Sequence, residues 1–188
     1  MHRIAIFASG TGTNAHKIIA HFSNKAKNIV PALVVCNKPD AGVIAIAKDW
    51  NVEVLMIAKE PFFNGDAYVP FLQARGIDFI VLAGFLWKLP AKLIAAYPDK
   101  IINIHPALLP NYGGKGMYGS HVHAAVIANK EKESGITIHY VNEHYDEGAI
   151  IFQAKTTVEN NDTPETLAAK IHALEHQYFA ATIENLLR

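Results

Sequence analysis

RIAIFASGTGTNAHKIIAHF, residues 3–22, decides how the chain is read. From Ile4 to Ala8 every side chain is apolar, with no polar alternation. Such a run fits a strand buried on both faces, as in a parallel sheet covered by helices. Ser9–Thr13 is a glycine-rich turn, and from Asn14 to about Phe22 the apolar residues Ile18, Ile19 and Phe22 recur at helical spacing. A buried strand, a tight turn and an amphipathic helix open a βαβ unit.

The same alternation continues outward. Ile29–Cys36 is a second β-branched apolar run, Ala41–Trp50 is helical, and Glu53–Ile57 is a short strand. Asp66–Arg75 is helical and stops at Gly76, and Asp78–Ala83 is a fourth strand. Pro90–Tyr97 opens with proline at the first helical position. Ile101–Ile104 is the fifth strand. After residue 120 the pattern changes. His121–Asn129 is helical, and the strands Gly135–Val141 and Gly148–Lys155 are joined by a short polar loop that lets them pair antiparallel. Thr163–Leu187 is a long last helix, with Thr163 or Asp162 as its cap before Pro164. No linker divides the chain. The expectation is one α/β domain over residues 1–188: a doubly wound, Rossmann-like, mostly parallel sheet with a mixed edge. In such sheets ligands bind beyond the carboxyl ends of the strands.

Lys plus Arg number 17 and Asp plus Glu number 17, so the balance argues against a nucleic-acid binder, which shows a basic excess. The single cysteine, Cys36, allows no disulfide within the chain, which fits the cytoplasm. The opening MHRIAIFASG is too quickly interrupted for a signal peptide, and no apolar run approaches the roughly 20 residues of a membrane helix.

Three stretches carry candidate chemistry. ASGTGTNA, residues 8–15, follows a strand and opens a helix, where backbone N–H groups and the helix N-terminus suit a phosphate. It also matches G-x-G-x-x-A from Gly10 to Ala15. A dinucleotide, however, wants an acidic residue at the end of strand two, and that strand ends in Cys36-Asn37-Lys38. A monophosphate is the better fit; a plain βα turn capped by Asn14 is the bland alternative. Asn103-Ile104-His105-Pro106 ends strand five with Asn103 and His105 on the same side. An amide N–H can hold an oxyanion and an imidazole can exchange a proton. As an isolated pair they are read more readily as an amide that satisfies backbone groups at a strand end and a hydrogen-bonded core histidine. In NEHYDEGAII, residues 142–151, Asp146 sits in a turn, either as turn chemistry or as a carboxylate delivered to His105.

Other features have plainer readings. His121 and His123 have no third ligand at metal-site spacing, so no metal is expected. His139 is either a core histidine or a support for the site. Phe85, Leu86 and Trp87 pack, and also lie where they can line a flat organic ligand. The charge run Lys130–Glu133 is read as a solvated helix end.

INIHPALLP, ASGTGTN, VLAGFLWKLP and HYDEGAII together resemble the folate-dependent formyltransferases over nearly the whole chain. The early G-T-G-T-N resembles their purine-pathway branch, the glycinamide ribonucleotide transformylases. The resemblance implies transfer of a formyl group from 10-formyltetrahydrofolate to the amine of glycinamide ribonucleotide, by direct attack and without a metal. It implies that Asn103 and His105 stabilise the tetrahedral intermediate, that His105 is the general acid, and that Asp146 holds His105 and helps move the amine proton. It implies that Gly12, Thr13 and Asn14 hold the phosphate and that Glu175 reaches the ribose or glycinamide end. Leu86, Trp87, Lys88, Leu89 and Asn103 would contact the folate. The N-terminal half would bind the nucleotide phosphate, the C-terminal half would carry catalysis and folate, and the chain would act as a cytoplasmic monomer or homodimer. Three departures stand out. The loop NYGGKGMYGSH, residues 111–121, is long and glycine-rich, which suggests mobility and brings Lys115 toward an anionic substrate. Gly65 stands where some relatives carry a basic residue for the folate tail. The chain ends at Arg188, where many relatives continue.

Rival readings remain. A methionyl-tRNA formyltransferase would carry a further C-terminal domain and more positive charge, and a formyltetrahydrofolate hydrolase an N-terminal regulatory domain. A sugar-nucleotide formyltransferase would need a pocket different from the G-T-G-T-N loop. A nicotinamide-dependent oxidoreductase rests on the glycine match alone, and a non-catalytic binding module leaves three catalytic residue types without a use.

Overall fold

The computed structural model describes residues 1–23, 28–64 and 67–188. Its strands are β1 (His2–Ala8), β2 (Ile29–Cys36), β3 (Glu53–Met56), β4 (Phe79–Leu82), β5 (Ile101–His105), β6 (Glu133–Tyr140) and β7 (Ile150–Thr157). Its helices are α1 (Thr13–Ser23), α2 (Gly42–Asp49), α3 (Lys59–Asn64), α4 (Tyr68–Ala74), α5 (Ala91–Ala96), α6 (Ser120–Ala128) and α7 (Pro164–Leu186).

The strands form one sheet in the order β3-β2-β1-β4-β5-β6-β7. β1 to β5 pair in parallel, and β5–β6 and β6–β7 pair antiparallel. The order reverses beside β1, so the connections wind to both sides, as the alternating sequence pattern requires. Buried residues gather on both faces. One cluster packs Ile4, Ile6, Val34 and Ile102 against α1, α6 and α7 residues such as Ile18, Val122 and Phe179. The other sets Ala5, Phe7, Leu33 and Ile80 against Phe62, Leu72 and Leu93. Consecutive residues of β1 thus enter opposite clusters, which is why Ile4–Ala8 carries no polar alternation.

The boundaries depart from expectation in physically sensible places. α3 was not expected: it is one short turn-rich segment, KEPFFN, with proline inside it. Pro90 is the cap of α5 rather than its first helical residue, with extended backbone (ψ 145°) that a proline ring accepts readily. β5 runs one residue further, to His105, and β7 starts at Ile150, not Gly148. Of the Lys130–Glu133 run, Glu133 opens β6 rather than ending a helix, though all four residues are exposed. Thr163 caps α7 and exchanges hydrogen bonds with Thr166 across the first turn. Asp66, the expected start of the fourth helix, lies outside the described residues, as does Gly65. Among the described residues no helix is long and apolar enough to cross a membrane.

Candidate active site

A cleft of about 310 Å³ opens where β1, β4 and β5 end. Every residue that the resemblance assigns to catalysis, phosphate or folate lines it: Gly12, Thr13 and Asn14 from the first turn, Leu86 to Leu89 from the loop after β4, Asn103 and His105 from β5, Asp146 from the β6–β7 loop, and Glu175 from α7. The sequence separates these groups by as many as 163 positions, from Gly12 to Glu175; the sheet order brings them to one place.

His105 is 3% exposed. Its Nε2 lies 2.7 Å from the Tyr112 carbonyl oxygen. A carbonyl can only accept, so Nε2 carries the hydrogen and donates it. Nδ1 then faces Asp146, 3.6 Å from Oδ2. Asp146 adopts φ 57°, unusual for a residue with a side chain. Its Oδ2 also accepts from the Gly114 N–H at 2.9 Å. A Cβ on Gly113 would stand 3.3 Å from the Asp146 Cβ and 2.6 Å from Leu109 Cδ2, so only glycine leaves the carboxylate this berth.

Asn103 sits across from His139 in the β5–β6 register. His139 Nδ1 is 2.8 Å from the Tyr140 carbonyl oxygen, so this nitrogen donates. His139 Nε2 is left with a lone pair and accepts from Asn103 Nδ2 at 3.2 Å. Burial depresses the His139 pKa, and nearby His105 adds to that; the Tyr140 carbonyl and Asp146 work against it. A neutral His139 therefore fixes which end of the Asn103 amide is nitrogen. One amide N–H is spent on His139, and the other remains for a ligand. The centre thus offers a fixed hydrogen-bond donor, an imidazole and a carboxylate side by side, suited to attack on a carbonyl followed by proton transfer.

The model for the family described as formyl transferase matches residues 2–183. The chain belongs to the formyl transferase family. It is 36% identical over 191 residues to phosphoribosylglycinamide formyltransferase of Bacillus subtilis, covering 100% of this chain and 95% of that protein. It is 41% identical to a chloroplastic phosphoribosylglycinamide formyltransferase of Arabidopsis thaliana, over 96% of this chain. The chain spans 64% of that plant relative and 60% of a similar one from Vigna unguiculata. Its fold is similar to the crystal structure of phosphoribosylglycinamide formyltransferase from Bacillus halodurans, with TM-score 0.89 and 38% identity, covering 98% of this chain and 95% of that one. Glycinamide ribonucleotide transformylase 1 from Geobacillus kaustophilus aligns over 100% of both chains, with TM-score 0.90 and 33% identity.

At the other end of the cleft, Gly12 turns the chain with φ 81° into α1, whose first turn holds no acidic side chain. A Cβ on Gly12 would lie 2.7 Å from Val43, so the loop is braced against α2. Asn14 Nδ2 donates to Glu175 Oε2 at 2.9 Å, joining α1 to α7, while Asn14 Oδ1 is buried without a partner. Burial lifts the Glu175 carboxyl above its ordinary range, against the pull of the Asn14 amide and of His172. Among the described residues no group of three or more His, Cys, Asp or Glu is placed to hold a metal.

The loop after β4 forms an aromatic wall. Trp87 packs on Phe62 and Phe63, with ring centroids 5.6 and 5.4 Å apart, and Phe85 meets Phe7 edge-on. Leu86 is 47% exposed at the cleft, whereas the Leu89 side chain is buried in the core. Lys88 Nζ lies 5.2 Å from the centre of the Tyr145 ring, where this loop meets the loop of Asp146. Lys115 is exposed and does not line the cleft; its neighbours Gly114 and Gly116 do.

The place of several residues in the cleft is not announced by the sequence. His123 and His172 line it, and His123 is 3% exposed with Nδ1 unpartnered. Their helical spacing alone does not distinguish them from packing residues. The Tyr112 carbonyl is a backbone group that no side-chain pattern announces.

Proposed function

We propose that this chain transfers the formyl group of 10-formyltetrahydrofolate to the amine of glycinamide ribonucleotide, a step of purine synthesis, as a single cytoplasmic domain over residues 1–188. The observation that carries the reading is the cleft itself. It has an oxyanion donor, an imidazole and a carboxylate at one end, and a helix N-terminus with Asn14 and Glu175 at the other. The relatives' printed names point to the same acceptor. A cleft of about 310 Å³ lies at the low end of the usual range for small-molecule sites, roughly 300–1,000 Å³.

In this reading Gly12, Thr13 and Asn14 hold the phosphate at the start of α1. Glu175 takes the ribose or glycinamide end, and the donor ring lies along Leu86 to Leu89. The donor supplies an electrophilic formyl carbon. The acceptor amine attacks it directly, and the carbonyl oxygen, now negative, meets the free N–H of Asn103. The amine nitrogen gives up its proton toward Asp146. The carbon–nitrogen bond to the folate breaks, and His105 protonates the departing nitrogen. One proton leaves the acceptor and one enters the donor nitrogen, so the transfer balances with no metal or redox partner. The proposed division puts phosphate binding mainly in the N-terminal half and catalysis in the C-terminal half, with Glu175 crossing back from α7.

The test is an absorbance assay for the deformylated folate, with and without ribonucleotide, for the natural protein and for His105→Ala. Product formation that needs both ribonucleotide and His105 supports the reading. Product without ribonucleotide means a hydrolase. No product from folded protein overturns it.

A further inference from the structure

Ser9 is 2% exposed, and the phosphate-loop motif in which it lies leaves it without a role. Its side chain joins two distant segments. The hydroxyl donates to Asn37 Oδ1, just past β2, at 2.6 Å. The same oxygen accepts from the Leu86 N–H at 3.0 Å. Its own backbone N–H donates to the Gly84 carbonyl at 3.1 Å. One residue just past β1 therefore clamps the loop after β4 at its second and fourth residues.

The clamp fixes a residue that folding alone gives no reason to fix. Leu86 exposes 47% of its surface at the cleft, yet its backbone is held by a buried side chain. An apolar side chain pinned in the open is suited to a ligand that will cover it. The bond also uses up the Leu86 N–H, so that group is not free for a ligand, and the contact at this position falls to the side chain and the carbonyl. The polarity is unambiguous: an amide N–H can only donate, so the hydroxyl hydrogen must point to Asn37. Loss of the hydroxyl would leave the half-buried Asn37 oxygen and the Leu86 N–H without these partners and would release the loop from its tie to β1.

We propose that Ser9, oriented by Asn37, is a positioning residue that presents Leu86 and the loop through Leu89 to the face of the formyl donor. This rests on the proposed function, because it assigns that loop to the folate. Ser9 touches neither the reacting atoms nor Asn103, His105 or Asp146 in any contact described above. Its loss acts on donor affinity and not on chemistry.

The experiment measures binding of tetrahydrofolate and of glycinamide ribonucleotide separately, by titration calorimetry, together with kcat and Tm. The proteins are the natural chain, Ser9→Ala, Asn37→Ala and Asn37→Asp. Asn37→Asp keeps an oxygen to accept from Ser9. Ser9→Ala is expected to weaken tetrahydrofolate about tenfold, as for one lost hydrogen bond, with ribonucleotide affinity and saturated kcat within about twofold. Asn37→Ala, at a half-buried site, should follow Ser9→Ala, and Asn37→Asp should restore most of the affinity. Unchanged tetrahydrofolate binding in Ser9→Ala and Asn37→Ala would overturn the inference. Equal weakening of both ligands with a fallen Tm would also overturn it, since that is what a purely structural serine predicts. If the natural chain binds ribonucleotide but no tetrahydrofolate, the donor assignment itself fails, and that result is distinct from the other two.

Discussion

Asp146→Asn isolates charge from shape. Asparagine keeps an oxygen to accept the Gly114 N–H that Asp146 Oδ2 now accepts at 2.9 Å, so the loop has no reason to move. What disappears is the negative charge 3.6 Å from His105 Nδ1, between side chains 4% and 12% exposed. At an effective dielectric of about 20, opposite unit charges at that distance attract by roughly 4–5 kcal/mol. That attraction exists only while His105 carries its second proton, as it must to serve as the proposed acid. At about 1.4 kcal/mol per decade, the ceiling is about three decades in rate. In the proposed mechanism the loss of the amine's proton acceptor acts in the same direction. The expected result is a fall in kcat of about a hundred- to a thousandfold, with KM for the ribonucleotide within about threefold. The assay is steady-state formation of the deformylated folate with both substrates varied, checked by a Tm that matches the natural chain. A kcat within threefold of the natural protein would refute the reasoning, because a buried charge this close cannot be catalytic and dispensable. A raised KM at constant kcat would instead move Asp146 into binding.

Three further outcomes follow from the same geometry. Asn103→Ala should lower kcat by about a hundredfold or more, as for other lost oxyanion donors, and turnover at the natural rate would remove that role. Asn14→Ala takes the amide from Glu175 and leaves that buried carboxyl without its donor, so ribonucleotide binding measured by calorimetry should weaken by at least about tenfold while the tetrahydrofolate affinity stays unchanged; an unchanged ribonucleotide affinity would put the phosphate elsewhere. Burial depresses the pKa of His123 and His139 below the ordinary 6.5, so the unfolded chain binds more protons than the fold once the pH drops under that value. Stability contributed by these neutral rings is complete above pH 6.5 and is lost as the pH falls through their folded pKa values. Tm followed from pH 8 to pH 5 should decline on the acid side, and a flat profile would contradict the burial argument.

Some parts of this site can be read in the sequence because they are local. The turn Ser9–Thr13 lies between a buried strand and an amphipathic helix, and any chain that makes that junction exposes a helix N-terminus. Asn103 and His105 are two apart on a strand, so their common side follows from the pleat. The capping exchange of Thr163 with Thr166 is local as well. The rest is not, because it depends on register. Nothing near residue 103 says that β6 will lay His139 beside it, and nothing near Asp146 says that its loop will return to His105. Ser9 reaches Leu86 across seventy-seven positions by a contact that exists only because β4 pairs with β1. α3 escaped for another reason: six residues containing proline carry too little periodicity to be distinguished from a loop.

The reversal at β6 explains why the proposed reaction centre stands at this edge of the sheet. A parallel neighbour would continue the run of strands, all ending on the same side. An antiparallel neighbour instead sets Thr137 opposite His105 and His139 opposite Asn103. Thr137 is spent on structure: its hydroxyl donates to the Ala107 carbonyl and accepts from the Leu109 N–H, which fixes the chain leaving β5. That chain carries Tyr112, whose carbonyl sets the His105 tautomer, and Gly113 and Gly114, which seat Asp146. His139 is spent on the Asn103 amide. One antiparallel pairing thus determines the orientation of the Asn103 amide, the protonated nitrogen of the imidazole and the berth of the carboxylate. Asn103 and His105 would be ordinary strand-end residues on a sheet that did not reverse there.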